Sequence, residues 1–162
     1  MLAFRNTAAI NGEYKTNKVN IMNLTFREAN EADYPAIIEL HKSQDWGLDT
    51  PRTIRNFQEQ GNSIIVGEQN KEIIGKMDLM PKKRDNIHFL YLERLILAPE
   101  HRNKGIGKQF IQFAEEQAKK RNLKFLDLAV RDENDVAKKL YTGSGFEIIG
   151  RKVYMRKNVE TE

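Results

Sequence analysis

The sequence predicts an α/β protein with a central, twisted, mixed sheet of about six to seven strands and helices on both faces. The chain has 162 residues, the size of one ordinary domain. Hydrophobic residues make up 40% and charged residues 31%, a balance typical of a folded chain with one core. Strand-like and helix-like runs follow one another in the order β-α-α-β-β-β-α-β-α-β-β, so the connections are mixed.

The first half of the chain predicts a strand, two helices and a hairpin. Asn30, followed three residues later by Asp33, is typical of a helix N-terminus. Thr50-Pro51 predicts a second helix start, and we expect that helix to run to about Gln60. The predicted strands of this half are residues 24–28, 63–68 and 72–80. Residues 81–86 are predicted to form a charged loop after the last of them.

The second half predicts a long strand over His88–Leu97 and the clearest helix of the chain over Gly105–Arg121. Together with the next strand they should form a right-handed parallel crossover. The helix has apolar residues at spacings of three and four, which place on one face Ile106, Phe110, Phe113, Ala114 and Ala118. The remaining predicted elements are a short strand, a helix and a C-terminal hairpin: Phe125–Val130, Asn134–Thr142, and Phe146–Ile149 with Val153–Met155.

Composition limits the classes of function. The chain has no cysteine, which excludes disulfides, thiolate metal sites and a cysteine nucleophile. The net charge of +4 suits an anionic ligand but is too small to indicate nucleic acid. No apolar run reaches transmembrane length and no secretion signal is evident, so we expect a cytoplasmic protein without membrane contact. We expect residues 1–21, which are polar and rich in asparagine, to be a weakly ordered extension, and residues 22–162 to form one domain.

The stretch ERLILAPEHRNKGIGKQF leads from the long strand directly into the clearest helix. The free N–H groups at a helix N-terminus attract anions, and glycines let an anion approach the backbone. Arg102, Lys104 and Lys108 add positive charge beside Gly105 and Gly107. This combination predicts a phosphate-binding loop, although glycines at such a position can also serve only to ease a tight turn.

Two common phosphate-binding motifs do not fit this loop. The P-loop pattern requires glycine at position 102 and serine or threonine at position 109, where this chain has Arg102 and Gln109. The dinucleotide-binding pattern requires a small residue where this chain has Phe110. The loop therefore indicates a phosphate ligand other than a hydrolysed nucleoside triphosphate or a dinucleotide.

The spacing Arg102-x-x-Gly105-x-Gly107 after a strand resembles the pyrophosphate-binding motif of the GNAT superfamily of N-acetyltransferases. The segment ENDVAKKLYTGSGFE is similar to the next signature of that family, and residues 22–157 can be laid on the family pattern. The resemblance implies a GNAT-like fold and acetyl-CoA as cosubstrate. It implies that coenzyme A is bound by Leu95, Ile96, Leu97, Arg102, Asn103, Lys104, Gly105, Ile106, Gly107, Lys108, Asn134, Ala137 and Tyr141.

The resemblance also suggests two catalytic residues. Glu93 lies in an apolar strand, and partial burial would make it a stronger base for the acceptor amine; the alternative is a carboxylate paired with Arg94. Strand parity places Glu93 and Tyr91 on one face and Arg94 on the other. Tyr141 is the candidate acid for the departing thiolate, although a buried tyrosine can also simply anchor a helix. Asn134 would bind the pantetheine amides, or act as a helix N-cap, or both.

The sequence thus predicts an N-acetyltransferase that moves an acetyl group from acetyl-CoA to a primary amine of a small molecule or protein. We expect the acceptor site to be built by the two early helices, the loop around Trp46 and the C-terminal hairpin. The three histidines are scattered, so no catalytic metal is expected. A non-catalytic acyl-CoA sensor and a nucleic-acid-binding domain are the alternatives, and a homodimer is left open.

Overall fold

The computed structural model describes residues 9–10, 13–15, 23–44 and 49–157. It divides into two compact units, Met1–Ala129 and Val130–Glu162, and each is described by itself. Within the described ranges, no helix is long and apolar enough to cross a lipid bilayer.

The first unit contains all of the described strands and three helices. The strands are β1 (Ala9–Ile10), β2 (Glu13–Lys15), β3 (Leu24–Glu28), β4 (Ser63–Gln69), β5 (Glu72–Arg84), β6 (Ile87–Leu97) and β7 (Leu126–Leu128). The helices are α1 (Tyr34–Lys42), α2 (Pro51–Glu59) and α3 (Ile106–Lys120), with short 3-10 turns at Glu31–Asp33 and Pro99–His101. The second unit contains one described helix, α4 (Asp135–Thr142).

The sheet follows the chain order from β1 to β7. Neighbouring strands are antiparallel from β1 to β6, whereas β6 and β7 are parallel, joined through α3. The predicted mixed α/β sheet is therefore confirmed. The predicted number of six to seven strands is not confirmed: residues 24–128 contribute five strands. The short strands β1 and β2, in the segment predicted to be an extension, continue the sheet beyond β3.

The two early helices begin where the sequence predicts. Asn30 and Asp33 form a reciprocal capping box ahead of α1, and Thr50 and Thr53 form one ahead of α2, with Pro51 in the first turn. Both helices pack on one face of the sheet, where their apolar residues meet alternate residues of β4. This core contains Ala29, Tyr34, Ile37, Ile54, Ile64 and Val66.

Helix α3 packs on the opposite face through Phe110, which is fully buried. Its ring lies over Gly67 of β4 and Gly75 of β5, which are paired across the two strands. A Cβ atom at Gly67 would lie 2.7 Å from the Phe110 ring, so the absence of a side chain there permits this close packing. An edge-to-face contact with Phe26, with centroids 4.7 Å apart, completes the packing.

Two predicted features are wrong. The charged segment predicted as a loop over residues 81–86 continues β5 to Arg84 and turns only at Asp85-Asn86, because the pairing of β5 with β6 extends to the Arg84–Ile87 pair. The predicted C-terminal hairpin is absent from residues 146–157, which have no regular secondary structure. The alternation of apolar residues that predicted it is present, but most of those side chains are exposed rather than buried on a sheet face: Ile148, Ile149, Val153, Tyr154 and Met155.

Candidate functional site

Along residues 93–97, one edge of β6 pairs with β5 and the other edge pairs with no strand that the structure describes. Strand β7 pairs with β6 at three positions only, which are Leu90, Tyr91 and Leu92. From Glu93 to Leu97, β6 pairs with β5 alone among the described strands. The backbone groups on its other edge can therefore bind an extended ligand in the manner of an added strand.

A β-bulge lies at the start of this unpaired edge. The register of β5 with β6 passes from Lys76–Ile96 to Asp78–Glu93, so Met77 alone faces two residues of β6, Arg94 and Leu95. Arg94 has a φ of +47°, in the left-handed region that few residues other than glycine adopt. The bulge changes the direction of the backbone immediately after Glu93.

The strand leads through the 3-10 turn into the predicted phosphate-binding loop. The Arg102 Nε donates a hydrogen bond of 3.1 Å to the carbonyl oxygen of Leu97, which holds the loop against the end of β6. Asn103 and Gly105 are left-handed, with φ values of +57° and +77°. The loop therefore turns sharply twice before α3 begins at Ile106.

The N-terminus of α3 has the properties of an anion site. Its N-cap residue, Gly105, supplies no side-chain cap, and a Cβ built there would meet no atom within 4 Å. The first N–H groups of the helix are therefore open to a ligand on a side where the helix dipole is positive. Lys104 and Lys108 are exposed beside it, whereas Ile106 and Gly107 are buried.

Glu93 comes directly before the bulge, whereas the phosphate-binding loop comes after it. Its side chain is exposed, so the expected partial burial is not found. Its partner across the ladder is Asp78, and directly opposed residues point to the same face of a sheet. Arg94 bonds to that same Asp78, so the prediction from strand parity that Arg94 points to the other face is wrong; the bulge is the reason.

A charged cluster that the sequence analysis missed surrounds Asp78. One carboxylate oxygen accepts a hydrogen bond of 2.7 Å from Lys76 Nζ, and the other accepts one of 2.5 Å from Arg94 Nε. Both Lys76 and Asp78 are fully buried. Arg94 also lies 3.7 Å from Asp49, which contacts Nδ1 of the buried His41. The missed signal was the pair of charged residues two apart in the apolar strand IIGKMDLM, which places both on one face.

Burial changes the acid–base properties of this cluster. It lowers the pKa of Lys76 to about 8, against the opposing effect of the Asp78 carboxylate. Burial, together with the positive charge of Lys76, also lowers the pKa of His41 despite its hydrogen bond to Asp49. His41 is therefore neutral at physiological pH, with Nδ1–H available to donate to Asp49.

The other predicted site residues lie in the second unit. Asn134 is the N-cap of α4, and its Oδ1 accepts a hydrogen bond of 3.1 Å from the N–H of Ala137. The N-cap interpretation of Asn134 is therefore confirmed, and its amide nitrogen is the part that could bind a ligand. The Tyr141 ring packs edge-to-face on Phe146 with centroids 5.7 Å apart, and burial raises the pKa of its hydroxyl.

Comparison with known proteins identifies the family. The sequence pattern of the Acetyltransferase (GNAT) family matches residues 23–146, more than half of the chain. The chain belongs to the GNAT family of acetyltransferases. The family resemblance drawn from the two motifs is thereby confirmed. No curated protein sequence matches the chain.

Solved structures show the same GNAT fold. The chain is similar to a transcriptional regulator from Bacillus halodurans C-125, with a TM-score of 0.71 and 23% identity over 83% of this chain and 100% of that one. It is similar to the aminoglycoside N-acetyltransferase AAC(6')-Iy in complex with CoA, with a TM-score of 0.71 and 19% identity over 85% and 96%. For a predicted acetyltransferase with acetyl-CoA from Clostridium acetobutylicum, the TM-score is 0.68 and the identity 17%, over 83% of this chain and 96% of that one.

The structure bears differently on the three parts of the acceptor site expected for this GNAT protein. Trp46 lies outside the described residues, and the C-terminal hairpin is not formed. Helices α1 and α2 do lie on the face of the sheet that carries Glu93 and the charged cluster. No group of three or more metal-ligating side chains occurs within the part of the chain that the structure describes.

Proposed function

We propose that this GNAT protein transfers an acetyl group from acetyl-CoA to a primary amine. One observation carries the proposal: the unpaired edge of β6 from Glu93 to Leu97 continues into an uncapped helix N-terminus flanked by cations. An edge that can accept an extended amide chain, followed by a site for phosphates, matches the chemistry of coenzyme A.

The first unit supplies separate groups for two parts of acetyl-CoA, the pantetheine arm and the pyrophosphate. The backbone of Leu95, Ile96 and Leu97 would bind the pantetheine amides along the unpaired edge. The pyrophosphate would be held by the first turn of α3 and its loop, with positive charge from Lys104 and Lys108. The proposed loop residues are Arg102, Asn103, Lys104, Gly105, Ile106, Gly107 and Lys108.

Acetyl-CoA brings a thioester whose carbonyl carbon is open to attack by an amine. A C–N bond forms and the C–S bond breaks, while the amine loses one proton and the thiolate gains one. Glu93 is the proposed base, because it is exposed and lies next to the bulge. A water molecule can carry the proton between the amine and this carboxylate.

Tyr141 is the proposed acid that protonates the thiolate. Its support is the family resemblance of the segment that contains it. Burial raises the pKa of its hydroxyl, so the phenol holds a proton at neutral pH that it can donate. Asn134 and Ala137 are proposed contacts of coenzyme A on the basis of the same resemblance.

The acceptor is proposed to be a primary amine on a small molecule, with a protein amine as the other possibility. One fold neighbour is an aminoglycoside acetyltransferase, which supports a small amine. The competing function is a non-catalytic acyl-CoA sensor, and a transcriptional regulator is among the fold neighbours. A sensor needs the β6 edge and the loop but neither Glu93 nor Tyr141.

Binding is tested first by the shift in melting temperature with acetyl-CoA. We expect a shift that grows with ligand concentration, and little effect of ATP or NAD. Gly107→Val should reduce the shift, because a side chain would crowd the first turn of α3. Lys119→Val, at the exposed other end of α3, is the control for placing a β-branched residue in this helix away from the loop. A larger shift with ATP than with acetyl-CoA would refute the proposal.

Catalysis is tested by thiol release from acetyl-CoA with a panel of amines. Tyr141→Phe should lower kcat about 10²-fold or more with little change in coenzyme binding, and Glu93→Gln should lower kcat most at neutral pH. Glu72→Gln, at the exposed start of β5, is the control for the loss of a carboxylate outside the proposed site. Binding of acetyl-CoA without thiol release for any amine would favour the sensor.

A further inference from the structure

The backbone at Arg94 is in a conformation that its residue type disfavours. Its φ of +47° belongs to the left-handed region, where a Cβ atom crowds the backbone and glycine is preferred. An arginine at this position of a bulge must therefore be held there by its surroundings.

The Arg94 side chain is fixed by three neighbours. Its Nε donates to the fully buried Asp78 at 2.5 Å, its NH1 lies 3.7 Å from Asp49, and its guanidinium lies over the ring of Phe57 at 5.3 Å. Asp78 is itself fixed by Lys76 at 2.7 Å. The side chain thus joins the bulge to β5, to helix α2 and to Asp49, which lies two residues before that helix.

The position of the bulge gives this arrangement a consequence for the site. Arg94 directly follows Glu93, the proposed base, and directly precedes Leu95, the first residue proposed to contact the pantetheine arm. The φ and ψ angles of Arg94 therefore set the direction of both neighbouring peptides. The same contact also compensates the charge of Asp78, the ladder partner of Glu93.

We propose that Asp78 and Arg94 are positioning residues for acetyl transfer: their ion pair holds the β6 bulge in the left-handed conformation that orients Glu93 and the Leu95 backbone. The inference rests on the proposed function. Neither residue reacts; Arg94 acts through the backbone and Asp78 acts through Arg94.

Comparison of Arg94→Ala with Arg94→Gly tests the inference. Both variants remove the guanidinium, but glycine adopts the left-handed conformation without a supporting side chain. At saturating acetyl-CoA and acceptor, we expect kcat to be about 5- to 30-fold lower in Arg94→Ala than in Arg94→Gly, with similar KM for acetyl-CoA. Asp78→Asn should lower kcat in the wild-type background and change it little in Arg94→Gly.

Lys71 provides a matched control. It is also left-handed, with a φ of +68°, but lies exposed in the turn between β4 and β5. Lys71→Ala and Lys71→Gly should differ in melting temperature as the Arg94 pair does, yet have equal kcat. This control separates the stability cost of the conformation from its effect on the reaction.

The rate of amide hydrogen exchange at residues 94–96 reports on the stability of the bulge and does not depend on enzymatic activity. We expect faster exchange in Arg94→Ala than in Arg94→Gly. Equal kcat and equal exchange in the two Arg94 variants would overturn the inference while leaving the proposed function intact. An inactive wild-type protein would overturn the proposed function, and the exchange rates would still decide whether Arg94 holds the bulge.

Discussion

Gly75→Ala is the substitution whose effect the structure defines most closely. A Cβ atom there would lie 2.6 Å from Leu97 Cδ2, 2.7 Å from the carbonyl oxygen of Ile96 and 3.2 Å from the Phe110 ring. The contact with the Ile96 oxygen involves backbone, so it cannot be relieved by a side-chain rotation. Overpacking of this kind costs about 1–3 kcal/mol, which lowers the melting temperature of a chain of this size by roughly 2–12 °C.

The assay is thermal unfolding followed by circular dichroism, with and without acetyl-CoA. Because the clash displaces the end of β6, Gly75→Ala should also reduce the shift caused by the ligand. Gly67→Ala should be milder, since its Cβ meets only side chains, and Gly150→Ala, with nothing within 4 Å, should melt like the wild type. A Gly75→Ala protein that melts within about 1 °C of the wild type would refute the packing argument.

Three further predictions concern the charged cluster and the N-terminal segment. Burial lowers the pKa of Lys76 from 10.5 to about 8, so between these pH values the unfolded chain binds more protons than the folded chain. The free energy of unfolding should therefore rise with pH over this range, by up to about 3 kcal/mol relative to Lys76→Met. Denaturant unfolding of both proteins from about pH 7.5 to 10.5 measures this, and parallel curves would contradict it. Burial also lowers the pKa of His41, so as pH falls from about 7 to 5 the wild type should lose stability relative to His41→Gln; an unchanged difference would argue against a buried neutral imidazole. A chain beginning at Met22 should fold and bind acetyl-CoA much like the full chain, as two melting curves would show; loss of folding would place β1 and β2 within the essential sheet.

Local signals in the sequence predict the elements well where the chain itself determines them. The capping residues Asn30 and Thr50 and the apolar spacing of α3 depend on neighbours within one turn, and the structure has all three. The C-terminal hairpin is predicted from alternation alone, and alternation does not show whether a strand has a partner. Likewise, the sequence misses the end of β5 because Lys82 and Lys83 suggest a loop, whereas pairing with β6 decides the strand.

The sequence predicts the phosphate-binding loop of the candidate site but not the β6 bulge beside it. The loop from Arg102 to Gly107 carries its chemistry in the residue types and their spacing. The bulge depends on the register of β5 with β6, which no local pattern specifies, and an arginine gives no sign of a left-handed backbone. The charges of Lys76 and Asp78 are visible in an apolar strand, but their partners Arg94 and Asp49 come from other parts of the chain.

The distribution of charge separates the two substrates of the proposed reaction. The loop and first turn of α3 carry cations for an anionic ligand, although the whole chain has a net charge of only +4. Around the bulge, the cations of Lys76 and Arg94 face the carboxylates of Asp78, Asp49 and Glu93, which leaves one net negative charge while His41 is neutral. The ion pairs occupy the first two of these carboxylates, so the exposed Glu93 is the carboxylate left to meet an ammonium group. Attraction of the protonated amine and removal of its proton would then depend on the same side chain.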